Sequence, residues 1–342
     1  MKVIIQPEGG VKPLVSGIDS AKKSVEIAIF RFDRKEVEHA LNNAVNRGVF
    51  VHTLIADTNR NGERALRKLE MRLLAKGVTV ARTSDDLVRY HGKMMIIDRK
   101  ELYVLAFNFT HLDIDRSRSF GIVTRNSQLV QEAVRLFDCD TKRQPFSSRS
   151  AKFLVSPVNA REQLAAFIKG AKRELLIYDS KISDRAMIRL LEERAKKGVE
   201  LRIVGQVTGR NSALDVRKLP TTRLHTRTIV RDRHQMFLGS QSLRELELDA
   251  RREIGVIIRD SKAVNSVVRV FEENWSATTT SKTDVAHKSG AAPVAETTVK
   301  AAEVAVQKLP SLEPIVEHNM WSNILRETTW RSSWIRKLSK LR

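Results

Sequence analysis

Apolar and polar positions follow the same order in two stretches of the chain. Val25 to Phe30 is a short apolar run of strand length. Val37, Leu41, Ala44 and Val45 then recur at helical spacing and end at Gly48, and a β-branched run from Val49 to Ile55 predicts a second strand. The order returns further on. Leu175 to Tyr178 is apolar, Met187, Leu190, Leu191 and Ala195 precede Gly198, and Val199 to Val204 is again strand-like. Strand, helix, strand in this sequence predicts a right-handed crossover and a largely parallel sheet.

The two stretches are copies of one unit. Ala21-Lys22-Lys23-Ser24-Val25-Glu26-Ile27 matches Ala171-Lys172-Arg173-Glu174-Leu175-Leu176-Ile177 at an offset of 150, and Pro7 pairs with Pro157 on the same offset. From His91 and His225 to Phe137 and Phe271 the offset is 134, so the second copy has lost 16 residues in its middle. The predicted fold class is therefore α/β, with two similar α/β lobes produced by internal duplication. Each is expected to be a mostly parallel sheet flanked by helices, and the lobes to be related by a pseudo-two-fold axis in a monomer. Residues 1–150 form the first expected lobe and 151–275 the second. After Trp275 the composition turns to Ala, Thr, Ser, Lys and Pro, which predicts a flexible linker over 276–317. The last segment, 318–342, holds Trp321, Trp330 and Trp334 among Arg336, Lys337 and Lys340. That pattern predicts a basic amphipathic helix at an anionic membrane surface, through residues 319–342, or folded back on the body.

Charge narrows the partners. The chain has 61 Lys and Arg against 40 Asp and Glu, a formal net charge of +21. Only 10 basic and 6 acidic residues follow Trp275, which leaves +17 on residues 1–275. A body this basic favours polyanions, meaning nucleic acid or an anionic lipid surface. Cys139 is the single cysteine, so neither an internal disulfide nor a cysteine-based zinc site can form. No stretch reads as an export signal or a membrane span, so the expected location is cytoplasmic, peripheral at a membrane.

The candidate chemistry sits at one place in each copy. The first copy reads His91-Gly92-Lys93, then Asp98, then Leu105-Ala106-Phe107-Asn108; the second reads His225-Thr226-Arg227, then Asp232, then Gly239-Ser240-Gln241-Ser242. On an extended strand, residues two apart face the same way, so each copy offers an imidazole beside a cation. That combination suits a phosphate.

This pattern resembles the signature of the phospholipase D superfamily: His, any residue, Lys, four residues, Asp, then six residues to Gly-Ser with Asn close behind. The resemblance spans about residues 1–275. It implies a shared site in which one histidine attacks phosphorus, forming a phosphohistidine, while the other protonates the leaving oxygen and then activates water or an alcohol. It implies no metal and no cofactor. Carried over by position, the catalytic candidates are His91, Lys93 and Asn108 with His225, Arg227 and Ser240, while Asp98 and Asp232 brace their own halves. Glu253 stands where relatives often carry an acid that orients a histidine. By the superfamily's usual order His91 is the nucleophile, whereas Glu253, lying in the second half, points to His225.

The chain departs from the signature in both halves. Leu105-Ala106 replaces Gly-Ser, Ser119 stands at the position equivalent to Glu253, Arg227 replaces Lys, and Ser242 replaces Asn. Each half keeps what the other lacks, which a composite site tolerates. The substrate classes are a phospholipid or a nucleic-acid phosphodiester. The Trp-rich tail and the few aromatics available to stack bases favour the phospholipid; the short core and Asn108-Phe109-Thr110 favour an endonuclease. A silent nucleic-acid-binding or membrane-surface protein is the reading outside enzymes.

Overall fold

The central strands of each lobe are apolar on both faces because each main sheet is covered on both. In the first lobe Val25, Ile27 and Ile29 point into a core shared with that lobe's own helices, whereas Ala28 points into a second core shared with the other lobe. In the second lobe Leu175 and Ile177 face their own helices, and Leu176 and Tyr178 face the shared core. Period-two alternation thus sorts side chains between two interiors, and none of these positions needs to be polar.

The computed structural model describes residues 1–57, 63–209 and 214–288. The first lobe runs β1 (Lys2–Gln6), α1 (Lys12–Ser20), β2 (Ser24–Ile29), α2 (Lys35–Asn46), β3 (Phe50–Ile55), α3 (Glu63–Leu74), β4 (Thr79–Arg82), β5 (Arg89–Tyr90), β6 (Met94–Ile97), β7 (Glu101–Leu105), α4 (His111–Asp115), β8 (Ser117–Thr124) and α5 (Ser127–Thr141). The second runs β9 (Phe153–Val155), α6 (Ala160–Lys169), β10 (Glu174–Ile182), α7 (Arg185–Lys196), β11 (Glu200–Val207), β12 (Asp215–Arg217), β13 (Arg223–Leu224), β14 (Arg227–Arg231), β15 (Gln235–Gly239), α8 (Glu245–Asp249), β16 (Arg251–Arg252), β17 (Ile254–Ile258) and α9 (Ser261–Lys288).

The two main sheets have the same order, β1-β8-β7-β6-β2-β3-β4 and β9-β17-β15-β14-β10-β11-β12. The missing 16 residues account for α3, which has no counterpart among the described residues between β11 and β12. The duplication is therefore structural as well as sequential.

The expectation of a mostly parallel sheet needs correction. Among the strands of a single lobe, only the crossover strands are parallel, β2 with β3 and β3 with β4, and β10 with β11 and β11 with β12. The strands that follow form an antiparallel meander: β6 with β7 across a tight turn, β7 with β8 across a connection that holds α4, and β8 with the amino-terminal β1. β6 also joins β2 antiparallel. The sheets are mixed, and the candidate chemistry lies on the meander.

The shared core fixes the lobes against each other within the unit Met1–Val285. Phe120 packs on Tyr178 at 5.5 Å between ring centroids, Tyr178 on Phe271 at 5.0 Å, and Phe271 on Trp275 at 5.7 Å. Helix α9 continues to Lys288, and Thr278 is buried with its hydroxyl donating to the Trp275 carbonyl. The rest of the expected linker, and the tail 318–342, lie outside the described residues. Among the described residues no helix is long and apolar enough to cross a membrane.

Candidate active site

Each lobe lends a two-residue strand to the other. β5 pairs in parallel with β16, matching Arg89 to Arg251, and β13 pairs in parallel with β8, matching Arg223 to Ser117. The exchange places both histidine segments at the seam. His91 and Gly92 donate their backbone N–H groups to the Arg252 carbonyl at 2.7 and 2.8 Å, and His225 donates to the Arg118 carbonyl at 3.0 Å. Gly92 lets the chain pass close to Ile254, since a Cβ would stand 2.6 Å from Ile254 Cδ1 and displace that side chain. The segment carrying His91 and Lys93 is thus an irregular joint between β5 and β6, not the continuous strand its alternation suggested.

Both histidines line one cleft of about 280 Å³, together with Phe30, Arg31, Arg89, Asn108, Asp113 and Arg223. Lys93, Arg227, Ser240 and Glu253 are buried just behind it. A single phosphorus centre entering the cleft meets two imidazoles backed by fixed cations and carboxylates.

At the first histidine the support is tight. His91 Nδ1 lies 2.9 and 3.0 Å from the two Glu253 carboxylate oxygens, and the Phe30 ring meets the imidazole edge-on at 4.9 Å. Lys93 Nζ also lies 3.2 Å from Nδ1, but the two carboxylate oxygens are closer and only accept, so Nδ1 carries the proton and Nε2 keeps its lone pair for the cleft. Lys93 Nζ donates to the His91 carbonyl at 2.6 Å. Burial, reinforced by Lys93 and Arg227, holds the His91 pKa well below 6.5, and burial lowers Lys93 to about 8. Burial also raises Glu253, against the pull of Lys93 and a hydrogen bond with Ser240. Ser240 therefore stands behind Glu253, its Oγ accepting from the Ile254 N–H at 3.1 Å.

Glu253 comes from the second lobe and His91 from the first. The strand exchange directs this acid across the seam, so it orients His91 and not His225, the partner inferred from its place in the chain.

The second histidine is held differently. Ser119, at the Glu253 position, reaches only the His225 carbonyl, at 3.5 Å. His225 Nδ1 instead faces Asp113 Oδ2 at 3.5 Å and has no closer hydrogen-bond partner. Asp113 accepts from the Asn108 backbone N–H at 2.9 Å, from Asn108 Nδ2 at 2.7 Å and from Arg223 at 2.7 Å. Arg227 mirrors Lys93, donating to the His225 carbonyl at 3.2 Å, and its Nε donates to Ser242 Oγ at 3.0 Å. Burial, with Arg227 beside it, lowers His225 well below 6.5 against the opposing pull of Asp113.

Asp98 and Asp232 lie away from the cleft. The Asp98 carboxylate accepts the backbone N–H groups of Lys22, Lys23 and Ser24, and Asp232 those of Lys172, Arg173 and Glu174. Each ties a hairpin of its own lobe to the turn before the lobe's first crossover strand. Asp113, Arg89 and Arg223 were not singled out from the sequence. The repeat carried the signal for them, since Arg89 aligns with Arg223 and Asp113 with Glu247 at the same offset of 134.

Similarity to known proteins agrees with this geometry. The family described as "Cardiolipin synthase, PLD-like domain" matches residues 14–141 and 164–275, one segment in each lobe. Mitochondrial cardiolipin hydrolase of Mus musculus is 28% identical over 130 residues, covering 38% of this chain and 55% of the relative. The Canis lupus familiaris protein of the same name is also 28% identical, with 48% of its length covered, so the chain spans about half the length of these curated relatives. Polyphosphate kinase from Porphyromonas gingivalis superposes with a TM-score of 0.65 at 18% identity, over 79% of this chain and 49% of that one. Phosphatidylserine synthase from Haemophilus influenzae superposes with a TM-score of 0.63 at 10% identity, over 81% and 86%. With both halves of the duplicated unit matched and a histidine from each opening on one cleft, the chain belongs to the phospholipase D-like family.

Proposed function

We propose that the protein is a metal-independent phosphodiesterase that works through a phosphohistidine on His91, with a phospholipid as substrate. The observation that carries the reading is that His91 and His225, each backed by a carboxylate from the opposite lobe, line the same cleft. His91 Nε2 attacks phosphorus as the bond to the leaving oxygen breaks, and His225, protonated, gives that oxygen its proton. Water then loses a proton to His225 and attacks the phosphohistidine, which returns His91 with its lone pair. Lys93 and Arg227 supply positive charge behind the reacting phosphoryl group, where charge builds in the transition state. Asn108 lines the cleft and keeps one Nδ2 hydrogen beyond the bond to Asp113.

The lipid reading draws on the rim. Leu112 lines the cleft yet is 49% exposed, and its repeat counterpart Leu246 on α8 is 37% exposed. Apolar side chains beside a cationic cleft suit an anionic bilayer surface. The names of the family and of the curated relatives point the same way. Under this reading the protein is cytoplasmic and peripheral, with 319–342 adding membrane affinity. A nucleic-acid phosphodiester is the second reading, favoured by Arg31, Arg89 and Arg223 lining the cleft and by the net charge of +21.

The test uses the full chain in chelator with cardiolipin-containing vesicles and, separately, single- and double-stranded nucleic acid. Turnover of vesicle lipid and an acid-labile phosphoryl adduct, both absent in His91→Asn, are expected. A strict need for a divalent cation would overturn the mechanism. Cleavage of nucleic acid alone would move the substrate to the second reading.

A further inference from the structure

We propose that Asp113 is the positioning residue for His225, a carboxylate supplied by α4 of the first lobe that does at the second histidine what Glu253 does at the first; the inference rests on the phosphodiesterase reading above. The repeat leaves His225 without the expected acid, because Ser119 occupies that position and its hydroxyl touches only the His225 carbonyl. A buried imidazole nitrogen with no partner is costly. The group that faces it is Asp113 Oδ2, at 3.5 Å.

Asp113 is itself fixed by its bonds from Asn108 and Arg223, and the Asp113 backbone N–H is capped by Thr110 Oγ1 at 3.2 Å. Its repeat counterpart is used otherwise. Glu247 accepts from the Ser242 N–H at 2.8 Å and pairs with Arg244 and Arg251, while the His91 ring goes to Glu253. An acid at this repeat position is therefore turned to the imidazole only where the glutamate equivalent to Glu253 is missing.

The chemistry follows from charge. Of the groups acting on His225, Arg227, Lys93 and Arg223 oppose its protonation, and Asp113 favours it. A general acid must hold a proton before it can deliver one, so Asp113 supports the step in which His225 protonates the leaving oxygen. Because Asp113 also grips Asn108 and Arg223, both lining the cleft, the orientation of the acid is tied to the groups that meet the substrate.

Two measurements on Asp113→Asn and Asp113→Glu test this. In ¹⁵N-histidine NMR of the full chain, Asp113→Asn is expected to move the His225 titration to lower pH by about one unit and to disturb its Nδ1–H tautomer, with His91 unchanged; Asp113→Glu should restore both. An unaltered His225 in Asp113→Asn would overturn the proposal, whether or not turnover is found. The second readout compares a short-chain phosphatidylglycerol, whose alcohol needs a proton to leave, with bis(4-nitrophenyl) phosphate, whose phenolate does not. Asp113→Asn should slow the first about 100-fold and the second less than about tenfold. Equal losses on the two esters would reduce Asp113 to a structural role. Absence of turnover by the unaltered protein on both esters would sink the phosphodiesterase reading instead, and leave the NMR result to decide the pairing.

Discussion

The half-sites around His91 and His225 descend from one unit, and they are no longer equivalent. His91 has a close, fully buried carboxylate partner and an aromatic wall, Glu253 and Phe30. His225 has a longer contact to an aspartate that is shared with Asn108 and Arg223, in reach of the cleft. Duplication supplied two equal imidazoles, and divergence of the residues behind them gave each its own set of partners. A ring with a fixed Nδ1 proton and a free Nε2 lone pair suits attack on phosphorus. A ring whose partner also contacts the substrate-facing groups suits proton transfer.

The sharpest way to break this comparison is to remove each imidazole in turn. His91→Asn should cost roughly 10⁴-fold or more on every ester, since the proposed mechanism is then left without its nucleophile. His225→Asn should cost about 10²- to 10⁴-fold on an alkyl leaving group and far less on 4-nitrophenyl esters. If the two variants lose the same amount on both substrates, the division of labour is wrong.

Glu253→Gln sharpens the first half. It keeps the size of the side chain but removes the charge that fixes the His91 tautomer, and about a 100-fold fall in kcat on both esters is expected from steady-state kinetics. A loss confined to alkyl esters would exchange the roles of the two histidines.

The pH profile tests both halves together. His91 must be neutral and His225 protonated in the free enzyme, and burial lowers both below 6.5. A lowered pKa surrenders its proton earlier as pH rises, so kcat/KM should peak on the acid side of 6.5 and decline through neutrality. Lys93, lowered to about 8, should steepen the fall beyond that pH. A plateau between pH 7 and 9 would contradict this.

The smallest effect is expected far from the cleft, where the lobes remain alike. Asp98→Ala and Asp232→Ala each strip acceptors from three backbone N–H groups, and each should cost about 1–2 kcal/mol in unfolding while leaving KM unchanged. Calorimetry would show whether the two losses match, as their matching hydrogen bonds require.

The duplication, the two crossover units and the pairs His91 with Lys93 and His225 with Arg227 were legible in the chain, since they depend on spacing and on residue type. The antiparallel meander was not. Hydrophobic alternation has the same period in parallel and antiparallel strands, so it does not distinguish the two pairings. Asp113 was hidden for a different reason: an acid in a five-residue helix looks like any surface acid until its burial and its neighbours are known.

Sequence alone determined that two copies of one histidine-bearing unit exist, because identity at constant offset is a property of the chain. Only the tertiary structure decided which carboxylate serves which histidine. Glu253 and Asp113 each act across the seam, at sequence separations of 162 and 112 residues from His91 and His225. Strand exchange between lobes sets those partners, and no local pattern encodes a contact formed by a neighbouring sheet.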